Sequence, residues 1–431
     1  MISANNPQLR KIMDDSTYHL VTLGCPKNEV DSDKLVGLLT KDGMTSTERP
    51  QDADLIIVNT CAFIEEARQE SIDTVLQVAE LKQDGARLVV TGCMAERYGN
   101  ELSEALPEVD QVSGFGVPVT LSSRSNTKNL ELPTFDLLNL PRPKSDRPWA
   151  YVKIAEGCDR SCGFCAIPAF RGPQRSRTID SILEEINQLE AREIVLVAQD
   201  LASFGRDQGQ GEKNIVPLIR QVNEMVERVR LLYLYPSDLN GELIEAILST
   251  NVPYFDLSLQ HVSRSLLRLM RRWGDGKRFS DQISAIRERK PDAVFRSNFI
   301  VGYPGETEED HEALLNFLET SQIDWCGFFP YSPEEGTYAE TLEGLVEPSI
   351  VTERLSELTE IQDQITAKHR DKLIGQKIEV LVDEVGIGRS WREAPEIDGV
   401  VNIPEDLPVG GLASVTVSGA TGPDLETHEN F

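Results

Sequence analysis

The run Gly157-Cys158-Asp159-Arg160-Ser161-Cys162-Gly163-Phe164-Cys165 concentrates the chemistry of this chain. Three residues separate Cys158 from Cys162, and two separate Cys162 from Cys165. A loop that short wraps three thiolates around one inorganic centre. Four protein ligands would close a zinc or electron-transfer site. Three ligands on a 4Fe–4S cube leave one iron open to a small-molecule ligand. The alternative is a zinc loop whose fourth ligand lies far away in sequence. The spacing, and an aromatic just before the last cysteine, favour iron–sulfur.

Four cysteines lie elsewhere. Three end apolar runs: His19–Cys25, Leu55–Cys61 and Leu88–Cys93. Free cysteine is often a core residue, but three in succession at the ends of strand-like runs point to a shared site. Cys326 stands alone in the apolar run Trp325–Tyr331 and reads as a small core hydrophobe. The total of seven is odd, and the polar start MISANNPQLRKIMDD is unlike a secretory leader. Both point to a reducing, cytoplasmic setting in which clustered thiols bind metal rather than pair.

The elements that position these residues follow from hydrophobic periodicity. The three cysteine-ending runs are continuous and apolar, as strands covered on both faces are. Helical patterns at Ser32–Leu39 and Ile64–Leu81 separate them, which predicts a parallel α/β unit. From Ala150 onward six strand-like runs alternate with helical patterns: Tyr151–Ala155, Ile194–Ala198, Leu231–Tyr235, Phe255–Leu259, Val294–Gly302 and Trp325–Tyr331. Six such repeats predict an open (β/α)6 partial TIM barrel with its site at the carboxyl ends of the strands. Gln199, Ser258 and the turn Gly302-Tyr303-Pro304-Gly305-Glu306 fall at those ends. Ile350, Leu355, Leu358, Ile361 and Ile365 recur at helical spacing after Pro348. Beyond Gly375 the alternation in Lys377–Val385 and Ala413–Gly419 predicts a small β-barrel. The fold class is therefore multidomain α/β: a disordered tail over 1–17, an N-terminal domain over 18–140, a barrel over 141–370 and a small barrel over 371–431. Much of 114–149 is rich in Ser, Asn, Thr and Pro and reads as linker.

The Cys158–Cys165 loop resembles the signature of radical S-adenosylmethionine (SAM) enzymes. The resemblance implies a 4Fe–4S cluster on Cys158, Cys162 and Cys165 beside Phe164. SAM would chelate the open iron and be cleaved to a 5′-deoxyadenosyl radical. Gln199, Ser258, Gly302, Pro304, Gly305 and Glu306 are the expected SAM contacts. The three-part architecture resembles the methylthiotransferase family, whose last domain is a TRAM (OB-like) barrel. That resemblance implies a second 4Fe–4S cluster on Cys25, Cys61 and Cys93, sulfur delivery to an unactivated carbon, and an external electron donor.

Within the family, the stretches Thr22–Asn28, Cys61–Ile64, Arg97-Tyr98, Pro107–Asp110, Cys165–Gly172 and Glu393–Gly399 resemble the ribosomal-protein branch, the RimO type. Its substrate is an aspartate of small-subunit ribosomal protein twelve, free or on the ribosome. The other branch modifies tRNA adenosine. A non-catalytic iron–sulfur sensor or scaffold is an alternative of another class.

Charge bears on that choice. The chain carries 43 Lys+Arg against 71 Asp+Glu over 431 residues, a formal net charge of −28, which disfavours a protein that coats nucleic acid. Residues 371–431 carry −8, leaving −20 for the preceding 370. Such a tail suits a basic partner better than phosphate. A basic stretch of Arg264, Arg268, Arg271, Arg272, Lys277 and Arg278 leaves direct RNA contact open, although such runs are more often solvated helix faces. No apolar run has the ~18–20 residues that span a bilayer, so no membrane partner is expected.

Overall fold

Strands that leave a sheet at the same edge must run in the same direction, and both units of this chain are built on that arrangement. The computed structural model describes residues 16–115, 119, 137–209 and 214–428. They fall into two compact units. The first comprises residues up to 144 together with 156–158 and 166–173, and the second comprises the remainder.

In the first unit, β1 (Thr17–Thr22), β2 (Thr45–Ser46), β3 (Leu55–Thr60), β4 (Arg87–Gly92) and β5 (Gln111–Val112) form one parallel sheet in the order β2-β1-β3-β4-β5. All six residues of β3 are buried, as expected of a central strand covered on both faces. Its side chains alternate. Ile56 and Val58 pack with Val75 and Val78 of helix α2 (Glu65–Leu81) and Leu102 of helix α3 (Cys93–Ala105). Leu55 and Ile57 pack on the other face with Leu35 and Leu39 of helix α1 (Pro26–Lys41).

Two boundaries differ from the sequence reading. Ser16 is buried and Thr17 already opens β1, while 1–15 lie outside the described residues, as does most of 116–136. Segment 137–142, read as linker, lies against α1. Leu137 joins the core, Lys34 Nζ donates to the Leu138 carbonyl at 2.5 Å, and Arg142 pairs with Asp33 at 2.8 Å. The buried lysine of α1 needs that carbonyl, and a polar-looking sequence concealed the contact.

The second unit contains six parallel strands: β6 (Trp149–Lys153), β7 (Glu193–Val197), β8 (Arg228–Leu231), β9 (Tyr254–Gln260), β10 (Val294–Val301) and β11 (Trp325–Pro330). They form two three-stranded sheets, joined by a bridge between Leu234 and Leu257. Among the described residues β6 and β11 do not pair, so the barrel is open. The predicted Leu231–Tyr235 strand is displaced: β8 starts at Arg228, and its two buried arginines broke the apolar pattern. Leu358 and Ile365 of the helix Pro348–Asp371 enter the barrel core. Beyond it, β12 (Lys377–Glu384), β13 (Ile387–Arg389), β14 (Val401–Asn402), β15 (Leu412–Thr421) and β16 (Asp424–His428) close a small barrel around Val380, Val382, Val401, Val417 and Leu425.

The amino ends of the large barrel's strands bind the segment between β13 and β14. Tyr151 Oη donates to the Pro395 carbonyl at 2.9 Å, and Tyr254 Oη donates to Asp398 at 2.6 Å. Arg230 Nη1 reaches the Trp391 carbonyl at 3.1 Å, and Trp325 Nε1 reaches that of Arg392 at 2.8 Å. At the centre, fully buried Glu193 accepts from Arg230 Nε at 2.7 Å and Arg389 Nη1 at 3.1 Å. The stretch Glu393–Gly399 therefore has a structural job at the closed end of the barrel.

Burial alone would push the Glu193 carboxyl up, but Arg389, Arg230 and Arg228 outweigh it and hold it near 2 instead of the ordinary 4.5. A depressed carboxyl stabilises the fold above its unfolded pKa, and that stabilisation disappears as pH falls towards its folded one. Glu193→Gln leaves Arg230 buried without its carboxylate and Arg389 with Asp383 alone, and should cost roughly 3–5 kcal/mol at pH 7. In thermal unfolding, the gap between wild type and this variant should narrow as pH falls from about 4.5 towards about 2. A gap that does not change with pH would refute this account of Glu193.

Candidate active site: two cysteine sets

The adjacency of β1, β3 and β4 decides where three of the thiols go. Cys61 directly follows β3 and Cys93 directly follows β4, with Thr60 opposite Gly92 in the register. Cys25 lies three residues past the end of β1, where it caps α1. All three therefore stand at the carboxyl edge of neighbouring strands, where α/β sheets hold ligands. Gly24 has φ +92°, and a Cβ there would lie 2.8 Å from Cys61 Cβ and 2.9 Å from its Sγ. The backbone before Cys25 thus lies against Cys61. Asn28 ties the edge together, donating to the carbonyls of Leu23 and Thr60 at 3.0 Å each. Ser71 Oγ lies 3.1 Å from both the N–H and the carbonyl of Cys61.

The electrostatics of the three thiols are unequal. Burial raises Cys25, but Lys27, Arg171 and the N–H groups of Asn28 and Lys27 outweigh it and leave the thiol below its ordinary value. Burial, then the charges of Cys93 and Cys25, push Cys61 up to about 12. Burial also raises Cys93, against the pull of Arg171. These groups are close enough to repel one another as thiolates. A positively charged metal group among them would relieve that repulsion, so the donor set fits an iron–sulfur cluster. Among the described residues no three His, Cys, Asp or Glu side chains are grouped tightly enough for one metal ion. A four-iron cube spaces its thiolates more widely than a single ion does.

The second set is Cys158, Cys162 and Cys165, each half-buried. In the first unit, the Cys158 N–H donates to the Gly172 carbonyl at 3.1 Å. In the second unit, Gly163 is held on both sides: its N–H donates to the Met270 carbonyl at 2.8 Å, and its carbonyl accepts from Ala339 N at 2.7 Å. A Cβ at Gly163 would lie 3.0 Å from both the Leu269 carbonyl and Tyr303 Oη. Phe164 packs, half-buried, against the barrel core. Arg272 Nη1 donates to Cys162 Sγ at 3.2 Å, while its Nη2 donates to the Ser258 carbonyl. Ser258 and Cys162 are thereby brought to one guanidinium.

Gln199 lies, half-buried, two residues past β7. The Gly302–Glu306 turn is held by contacts of its own. Glu306 accepts the N–H of Gly302 at 2.5 Å and of Tyr303 at 3.2 Å, and pairs with Arg354 at 2.9 Å. Its carboxylate closes its own turn. A Cβ on Gly302 would lie 2.5 Å from Val351 Cγ2, so helix packing already requires that glycine. Pro304 is buried, and Gly305 donates to the Gly344 carbonyl at 2.8 Å.

Sequence reasoning gave no role to several residues of the site. Arg160, inside the cysteine loop, pairs with Asp200 at 2.6 Å and with Asp238. The guanidiniums of Arg160 and Arg272 lie 3.9 Å and 4.3 Å from the centre of the Tyr235 ring. Within the basic stretch, Lys277 pairs with Asp281 and Arg278 with Asp275, both at the surface. Arg272 turns inward, and run composition could not separate it from its neighbours. Arg171, in the quoted Cys165–Gly172 stretch, is buried against Cys93.

Residues 17–114 match the uncharacterized protein family UPF0004, residues 152–318 the radical SAM superfamily, and residues 374–428 the TRAM domain. A protein of Moorella thermoacetica named ribosomal protein uS12 methylthiotransferase RimO is 41% identical over 415 residues, covering 93% of this chain and 96% of its own. Its namesake in Thermotoga maritima is 41% identical over 412 residues, covering 92% and 95%. That of Kineococcus radiotolerans is 39% identical over 467 aligned residues, covering 94% and 96%. With that identity along nearly the whole length of each, the chain belongs to the RimO family of radical SAM methylthiotransferases.

Proposed function

We propose that this chain methylthiolates the β-carbon of an aspartate in ribosomal protein uS12. The observation that carries the reading is the pairing of two thiol sets in one chain: a Cys-x-x-x-Cys-x-x-Cys loop and three strand-end thiols at one sheet edge. Full-length kinship with proteins named for that reaction supports the substrate. The cofactors are SAM and two 4Fe–4S clusters, with Cys158, Cys162 and Cys165 holding one and Cys25, Cys61 and Cys93 the other. When bound they supply a carbon-centred radical and a sulfur source, chemistry that acid–base side chains cannot provide at an unactivated C–H bond.

The rest falls to the chain's own residues. Arg272 directs an N–H at the Cys162 sulfur and fixes the neighbouring strand end through the Ser258 carbonyl. Gly163 pins the loop so that its thiols keep their positions. Gln199, Ser258 and the turn Gly302, Pro304, Gly305 and Glu306 are the candidate SAM contacts at the strand ends, beside Phe164, and Glu306 holds that turn in shape through its own backbone. Electrons come from an external donor. Among the described residues no helix is long and apolar enough to cross a membrane.

Two measurements test this. Reconstitute the chain anaerobically with iron and sulfide, then offer SAM, a reductant, bulk tRNA and uS12 together. Mass spectrometry should find the methylthio increment on a uS12 aspartate; its appearance on tRNA adenosine instead would overturn the substrate assignment. In the second, Cys158→Ala should abolish SAM cleavage, whereas Cys25→Ala should retain cleavage and lose sulfur insertion. Sulfur insertion by the Cys25→Ala variant would remove the strand-end thiols from the mechanism.

A further inference from the structure

Arg171 ends the short helix Ile167–Arg171, and its guanidinium is almost fully buried in the first unit, at 7% exposure. Such a group stays protonated, so its charge is fixed and must be answered by its neighbours. Nη1 lies 2.9 Å from each carboxylate oxygen of Glu156 and 3.4 Å from Asp31 Oδ2. Nη2 donates to Cys93 Sγ at 2.9 Å and to Asn28 Oδ1 at 2.8 Å. The guanidinium carbon lies 4.2 Å from the centre of the Phe115 ring.

One side of this arginine is thus clamped by carboxylate, and the other is aimed at a thiol. Were the arginine there only to balance charge, Glu156 and Asp31 would suffice, and the approach to sulfur would be unnecessary. Asn28 makes that approach specific. The same amide that receives Nη2 holds the carbonyls of Leu23 and Thr60, so the arginine is registered against the strand ends that carry Cys25 and Cys61.

We propose that Arg171 is the positioning residue for the cluster on Cys25, Cys61 and Cys93, setting its reduction potential through the N–H directed at Cys93 sulfur and moderated by Glu156. The inference rests on the reading that these three cysteines hold a cluster. Hydrogen bonds to ligand sulfur and fixed positive charge both favour the reduced, more negative form, and so raise the potential. Glu156 opposes that effect by drawing part of the guanidinium's field to itself.

The test uses the full chain with Cys158, Cys162 and Cys165 changed to Ala, so that only the strand-end set remains. It is loaded anaerobically with iron and sulfide and titrated electrochemically, with the reduced cluster read by electron paramagnetic resonance. If this parent binds no cluster, the underlying reading fails. If it binds one, Arg171→Met should lower the potential, Arg171→Lys should lower it less, and Glu156→Gln should raise it. Unchanged potentials, or shifts of the same sign in Arg171→Lys and Glu156→Gln, would overturn the proposal with the cluster reading intact. Should Arg171→Met not load iron, the signs for Arg171→Lys and Glu156→Gln decide the matter.

Discussion

Three thiols can share one edge only if the strands that carry them are neighbours and parallel. The order β2-β1-β3-β4-β5 meets that condition for β1, β3 and β4, and the rest of the first unit follows from it. Parallel neighbours need crossover helices, and α1, α2 and α3 supply them while burying both faces of the sheet. A thiol at a strand end is also near a helix start: Cys25 caps α1 and Cys93 opens α3. Crowding, burial and mutual repulsion then have to be offset. Lys27 and Arg171 outweigh them at Cys25, whereas at Cys93 Arg171 pulls against burial and the thiol stays raised.

The second unit separates its labours by strand end. Carboxyl ends carry Arg160, Asp200, Asp238, Tyr235 and Arg272, whose contacts stiffen the loop that bears Cys162. Amino ends carry Glu193, Arg228, Arg230, Tyr254 and Arg296, which bind the segment running through Asp398. Catalysis needs precise placement at one end, and an open barrel with no pairing between β6 and β11 gains rigidity from the ion network at the other.

Much of this was legible in the sequence. The strand-end cysteines and the six barrel strands announce themselves as hydrophobic runs, because burial on both faces requires them, and the small closing barrel through the alternation of strands buried on one face. What stayed hidden has a common cause: it is polar, buried and non-local. Arg228 and Arg230 break the apolar run, so β8 reads as starting at Leu231 when it starts at Arg228. Arg272 could not be told from the solvated arginines beside it until its partners Cys162 and Ser258 were placed. Glu306 stands out in the sequence as part of a glycine-rich turn, but the hydrogen bonds from its carboxylate to that turn's own backbone are visible only in the fold. Arg171 lies inside a stretch that carries the family resemblance, but its partners Cys93 and Asn28 are distant in sequence and meet it only in three dimensions.

The acidity of residues 371–431 must be weighed the same way, since a buried charge repels no partner. Asp383 and Glu393 are taken up by Arg389 and Arg370, and Asp398 by Tyr254 and Arg296. Removing these from the surface also removes Arg389, one of the four basic residues of the tail. Asp371, Glu379, Glu384, Glu405, Asp406 and Glu426 remain exposed, against exposed Lys372 and Lys377. The outer shell of the small barrel therefore keeps its negative excess after the internal pairs are set aside. Such a shell repels a phosphate backbone and attracts a basic protein, and it does so on a domain whose buried pairs hold it against the barrel.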